Sequence, residues 1–122
     1  MPLHNKILIA DDDLEMLETL SSMLEEEGFA VIKAENGLEA VELARKELPA
    51  LVMLDIHMPK MDGLTACKEI KSDDVTRSVP VVMLTVEGSI NEIQQAITYG
   101  PKTYITKPSS KAEILKVLKS II

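Results

Sequence analysis

Along this chain, short unbroken apolar runs alternate with longer amphipathic stretches from end to end. Lys6-Ile7-Leu8-Ile9-Ala10 is the first run and stops abruptly at Asp11-Asp12-Asp13. Phe29 to Ala34, Leu51-Val52-Met53-Leu54, Pro80-Val81-Val82-Met83-Leu84 and Thr103-Tyr104-Ile105-Thr106 follow. Runs this short and continuous predict strands buried on both faces.

The intervening stretches carry helical spacing. Leu17, Leu20 and Leu24 share one face, with Met16 and Met23 beside them and Glu15, Glu18, Ser22 and Glu25 opposite, until Gly28 supplies a stop. Asn36 predicts the cap of a second helix carrying Leu38, Val41, Ala44 and Leu48 before Pro49 ends it. Asp62 predicts the cap of a third, with Leu64, Cys67 and Ile70 inward and a polar loop over 72–78 behind it. Ser89-Ile90-Asn91-Glu92 and Ser110-Lys111-Ala112-Glu113 both match a capping box. They predict a fourth helix with Ile93, Ala96 and Ile97 on one face, ending at Gly100, and a fifth with Ile114, Leu115, Val117, Leu118 and Ile121 inward.

Five strands alternating with five helices predict an α/β fold in which right-handed crossovers cover both faces of a parallel sheet. The expected form is flavodoxin-like and doubly wound, with strand order 2-1-3-4-5. In such sheets ligands bind outside the carboxyl ends of the strands, and here those ends carry Asp11 to Asp13, Asp55, Thr85 and Lys107.

Composition narrows the picture. A chain of 122 residues suits one domain over residues 1–122, and 46% hydrophobic with 27% charged residues is the balance of a folded globular protein. A net charge of -7 opposes direct contact with nucleic acid or anionic lipid, and three aromatics, Phe29, Tyr99 and Tyr104, make no base-stacking platform. No apolar run approaches the ~20 residues of a membrane span and no signal peptide opens the chain, so a cytoplasmic setting is expected. The lone Cys67 forms neither an internal disulfide nor a metal cluster.

The strand order makes the first and third strands neighbours, so Asp11, Asp12 and Asp55 are expected to converge. Two carboxylates about 4 Å apart repel by roughly 4 kcal/mol at an effective dielectric near 20, so three require a cation or a proton. Only oxygen donors are offered, which selects a hard ion, and an incomplete protein shell completed by water suits Mg²⁺. Lys107 adds one positive charge and Thr85 one hydroxyl, neither needed for metal binding alone. A carboxylate nucleophile, a bridging Mg²⁺, a lysine and a threonine together suit phosphoryl transfer onto Asp55. Asp13 reads as a helix cap, His57 and His4 as exposed loop histidines, and the seven methionines as core filler.

These residues also carry a family resemblance. From Ile7-Leu8-Ile9-Ala10-Asp11-Asp12 through Met53-Leu54-Asp55-Ile56-His57-Met58-Pro59-Lys60-Met61-Asp62-Gly63 and Leu84-Thr85 to Tyr104-Ile105-Thr106-Lys107-Pro108, the chain resembles the receiver domain of two-component response regulators, the chemotaxis-regulator type included. The resemblance implies that Asp55 is phosphorylated by a sensor histidine kinase or a histidine phosphotransfer protein. It implies that Asp11, Asp12, Asp55 and the His57 backbone carbonyl hold Mg²⁺ and that Lys107 contacts the phosphoryl group. Thr85 becomes the switch hydroxyl and Tyr104 the aromatic that changes rotamer with it. Pro108 matches a family proline usually preceded by a cis bond.

The output surface implied is the helix from Ser89, the strand around Tyr104 and the helix from Ser110, where Lys111, Lys116 and Lys119 are expected to be exposed. That surface suits a downstream protein or a phosphorylation-dependent dimer. Two positions depart from the family pattern: Val86 stands where Ala or Gly is common, and Gly100-Pro101 replaces the common Gly-Ala.

The protein so described is a signalling switch, self-modifying but not a turnover enzyme. Three competing readings differ in single features. A haloacid-dehalogenase-type phosphotransfer enzyme also uses a strand-end Asp, but wants a second acid where His57 stands. A flavodoxin-like cofactor binder needs a phosphate loop where Asp11-Asp12-Asp13 lies. An unphosphorylated scaffold of the same fold is expected to have lost a site residue.

Overall fold

Leu51–Asp55 forms β3, the strand on which the sheet is centred, and all five of its residues are buried. Its side chains alternate across the sheet, so one continuous apolar run feeds two separate cores. Val52 and Leu54 join Leu8, Ala10, Val81 and Met83 on one face, whereas Leu51 and Met53 join Ile7, Ile9, Val82 and Leu84 on the other. The computed structural model describes residues 5–86, 90–95, 97–107 and 109–122. His4, Ser89 of the first predicted capping box, Ala96 and Pro108 with its preceding bond lie outside them.

The element order is β1 (Lys6–Ala10), α1 (Leu14–Glu26), β2 (Ala30–Ala34), α2 (Gly37–Glu47), β3, α3 (Gly63–Ser72), β4 (Val81–Val86), α4 (Ile90–Gln95), β5 (Thr103–Lys107) and α5 (Lys111–Ile121). The strands pair in parallel in the order β2-β1-β3-β4-β5, as the sequence predicts. Ala40 and Ala44 of α2 and Ala66, Cys67 and Ile70 of α3 cover one face; Leu17, Leu20 and Leu24 of α1 and Ile114 and Leu118 of α5 cover the other.

Local chemistry sets the helix starts. Asp13 caps α1 by accepting the N–H groups of Glu15 and Met16, Asn36 caps α2 through Glu39, and Asp62 caps α3 through Thr65. Ser110 and Glu113 complete the predicted capping box of α5. Each removes orphan donors of a first helical turn.

Three details differ from the periodicity. The inner face of α2 is Gly37, Ala40 and Ala44, while Leu38 and Leu48 are 46% and 52% exposed. Alanines bring α2 close to the sheet and α3, with Val41 and Leu43 packed at the margin of that core as partly buried residues, while Leu38 and Leu48 face water. Leu48 is not helical either: it terminates α2 in a left-handed conformation, φ 45°. The fourth helix ends at Gln95, and the chain continues as a 3-10 turn over Ile97–Tyr99 with Ile97 70% exposed rather than inward.

Candidate functional site

Strand register delivers the predicted side chains to one edge of the sheet. Ala10 lies opposite Leu54, which puts Asp11 beside Asp55 one residue further along β1 and β3. Asp55 lies opposite Leu84, Thr85 opposite Thr106, and Val86 opposite Lys107. The β3 run therefore ends in the middle of the sheet with an acid on its neighbour and a lysine two strands away.

Carboxylate oxygens of Asp11, Asp12 and Asp55 come within 4.8 Å of one another. Asp11 is fully buried, Asp55 is 9% exposed, and Asp12 faces water. Lys107 reaches both buried acids, placing Nζ 2.9 Å from Asp11 Oδ2 and 3.1 Å from Asp55 Oδ1. Asp11 Oδ1 accepts the Asp13 N–H at 3.0 Å, so both of its oxygens are satisfied.

One lysine does not neutralise three acids. Burial and the charge of Asp11 push the Asp55 carboxyl above its ordinary range, although Lys107 pulls the other way. Burial works against the Lys107 ammonium, yet the hydrogen bond to Asp11 and the charges of Asp55 and Asp11 outweigh it and raise its pKa. The excess negative charge is what a divalent cation would neutralise, and a donor set of three carboxylates fits a hard ion such as Mg²⁺.

Thr85 is buried at the end of β4, and its hydroxyl donates to the Val86 carbonyl at 2.8 Å. Val86, next along, is 53% exposed. Tyr104 is 37% exposed on β5, and with Ile97 it borders a hollow of about 210 Å³. His57 is largely exposed, as its loop position predicts, and pairs with Glu92 of α4 through Nε2 at 3.3 Å. Asp13 is spent on capping α1. Burial pushes the Cys67 thiol up to about 11, so it is no nucleophile near neutral pH.

The surface lysines are only partly as predicted. Lys116 and Lys119 are exposed, but Lys111 pairs with Glu26 at 2.9 Å and Glu27 at 3.2 Å at the end of α1. Sequence reading also missed the loop after Asp55. Lys60 there has φ 68°, and the Met61 N–H donates across it to the Pro59 carbonyl at 2.7 Å. The Pro59 to Gly63 punctuation marks a turn, but nothing local shows what holds it.

Known proteins share this fold and sequence pattern. The response regulator receiver domain model matches residues 7–119. Protein PilH of Pseudomonas aeruginosa is 35% identical over 117 residues, spanning 96% of this chain and 97% of that protein. The dual master transcriptional regulator RpaA of Synechocystis is 37% identical over 117 residues, 96% of this chain but 48% of that protein. The chain thus spans about half the length of such transcriptional regulators. The receiver domain of a Pseudomonas aeruginosa sensor histidine kinase, solved with a magnesium ion coordinated in its active-site cleft, superposes with a TM-score of 0.89 at 25% identity over 97% of both chains. With the motif order, the sheet order and the family match in agreement, the chain belongs to the response regulator receiver domain family.

Proposed function

We propose that Asp55 is the phosphoryl acceptor of this receiver domain, loaded by a sensor histidine kinase or a histidine phosphotransfer protein. The observation that carries this is the cluster of Asp11, Asp12 and Asp55 with Lys107 bridging the two buried members. A carboxylate oxygen of Asp55 attacks phosphorus, the phosphorus–nitrogen bond of the donor phosphohistidine breaks, and an acyl phosphate forms. Water later cleaves it, restoring the carboxylate and releasing inorganic phosphate.

The carboxylates of Asp11, Asp12 and Asp55, with the His57 backbone carbonyl, would hold Mg²⁺, which when bound offsets charge on the transferring oxygens. Lys107 already stands within hydrogen-bonding distance of the acceptor, so it moves from a carboxylate oxygen to a phosphoryl oxygen without a large displacement. Thr85 must give up its bond to the Val86 carbonyl to donate to the phosphoryl group instead. That exchange at the end of β4 is the switch, and Tyr104 on the neighbouring strand is the side chain that follows it.

The surface around Ile97 and Tyr104 is the proposed output face, engaging a downstream protein or a second copy once Asp55 is loaded. The proposed setting is the cytoplasm; no helix among the described residues is long and apolar enough to cross a membrane. The haloacid-dehalogenase and cofactor-binding readings lose their support to the family match.

Acetyl phosphate, a small donor, tests the assignment by intact mass. One phosphoryl group should be added to the wild type only when Mg²⁺ is present, and none to Asp55→Ala. Equal modification of both proteins sinks the assignment.

A further inference from the structure

The loop joining Asp55 to α3 is fixed at its base by the acceptor strand itself. The Gly63 N–H donates to the Ile56 carbonyl at 2.7 Å, and a Cβ on Gly63 would lie 1.9 Å from the Asp55 carbonyl oxygen, so only glycine permits this approach. Its apex is held from elsewhere. Gly37, the first residue of α2, donates its N–H to the Met61 carbonyl at 3.0 Å, and a Cβ there would lie 2.2 Å from the same oxygen. The first amides of a helix have no partner within it, and α2 directs one of them to this loop.

The apex needs such a restraint. Lys60 has φ 68° beneath the short Met61-to-Pro59 bond, a conformation that costs a non-glycine residue free energy and persists only where the surroundings hold it. Between the fixed base and the fixed apex lies His57, whose carbonyl is the fourth proposed donor.

From this geometry we infer that Gly37 is a positioning residue for the acceptor site: its amide, from an element that contributes no ligand, holds the loop that aims the His57 carbonyl. The inference rests on the proposed reading of the acid cluster as a Mg²⁺ site. It gives Gly37 a role in metal affinity separable from its place in α2. Groups that orient a ligand without touching the metal change affinity by about 10–100-fold when removed, and the lower end, roughly 10-fold, is expected for Gly37→Ala.

Backbone-amide NMR titration with Mg²⁺ measures the dissociation constant, and hydrogen exchange reports the amide at position 37. Gly37→Ala should bind Mg²⁺ roughly 10-fold more weakly, with faster exchange at position 37. Asn36→Ala is the control. It removes the side-chain cap of the same helix, which accepts the Glu39 N–H at 2.8 Å, and should lower stability while leaving the dissociation constant unchanged.

Should Gly37→Ala fail to fold, the wild type tests the same idea: coupling is reciprocal, so if the Gly37 bond to Met61 favours Mg²⁺, then saturating Mg²⁺ must slow hydrogen exchange at position 37 by roughly the same 10-fold, beyond any slowing at the Glu39 amide of the same helix turn. An unchanged dissociation constant in Gly37→Ala, or exchange at position 37 that saturating Mg²⁺ leaves unchanged relative to Glu39, overturns the inference. Equal weakening in Asn36→Ala overturns it too, by making the effect one of helix stability. A wild type that binds no Mg²⁺ removes the metal reading itself and this inference with it, an outcome distinct from all the others.

Discussion

Lys107 shows how a site built for chemistry is also a structural problem. Its ammonium is the counter-charge for Asp11, fully buried, and for Asp55, nearly so. Removing one partner of a buried ion pair leaves the other's desolvation uncompensated. Lys107→Ala is therefore expected to cost roughly 3 kcal/mol of stability in metal-free buffer. Mg²⁺ supplies the missing positive charge, so thermal melts should show the variant recovering more stability on Mg²⁺ addition than the wild type. Equal recovery would mean that the acids do not share the lysine and the ion. The sequence showed which residues carry charge here, because Asp11, Asp55 and Lys107 each end an apolar run. It did not show that Asp11 takes the Asp13 amide on its second oxygen, since that bond depends on the turn into α1.

Among the elements, legibility follows how local the determinants are. Strands β1, β3 and β4 and the caps at Asp13, Asn36, Asp62 and Ser110 were legible because each is set within a few residues. The inner face of α2 was legible only in part: Ala44 and Val41 meet the core as expected, whereas the space left between sheet and α3 takes Ala40 and leaves Leu38 and Leu48 in water. The pairing of Lys111 with Glu26 and Glu27 likewise depends on neighbours distant in sequence. Leu48 makes this testable. A leucine at φ 45° and 52% exposed has the backbone cost of a left-handed residue and recovers little of it by burial. Leu48→Gly should raise stability by about 0.5–1 kcal/mol, read as a higher urea midpoint at unchanged slope. A lower midpoint would show that the leucine side chain, which lines a groove with Val75 and Pro80, contributes more than the backbone costs.

For the molecule as a whole, the fold and the proposed metal are separable. The two apolar cores, one on each face of the sheet, include none of Asp11, Asp12 and Asp55, which gather at the carboxyl ends of the strands. Chelation should therefore leave far-UV dichroism unchanged. Mg²⁺ at ten times its dissociation constant should raise stability by about 1.4 kcal/mol, a melting shift of roughly 5 °C. Unfolding on chelation would contradict this separation. The sheet order was legible because five alternating runs leave few topologies open. The clamp between α2 and the loop after β3 was not, since a glycine following a capping Asn gives no sign of the carbonyl it will meet.

Val86, half in water opposite Lys107 at the end of β4, is where we expect a clock to be set. Its β-branched side chain has few rotamers, and with Asp55 as the proposed acceptor we expect it to narrow the route by which a small donor or a hydrolytic water arrives. Its exposure means that little core depends on it, so Val86→Ala should accelerate both loading from acetyl phosphate and loss of the phosphoryl group severalfold at nearly constant melting temperature. Unchanged rates in stopped-flow and decay measurements would remove it from the route. A domain that both fills and empties slowly averages its input: brief bursts of kinase activity leave little trace, and sustained ones are remembered after the kinase falls silent.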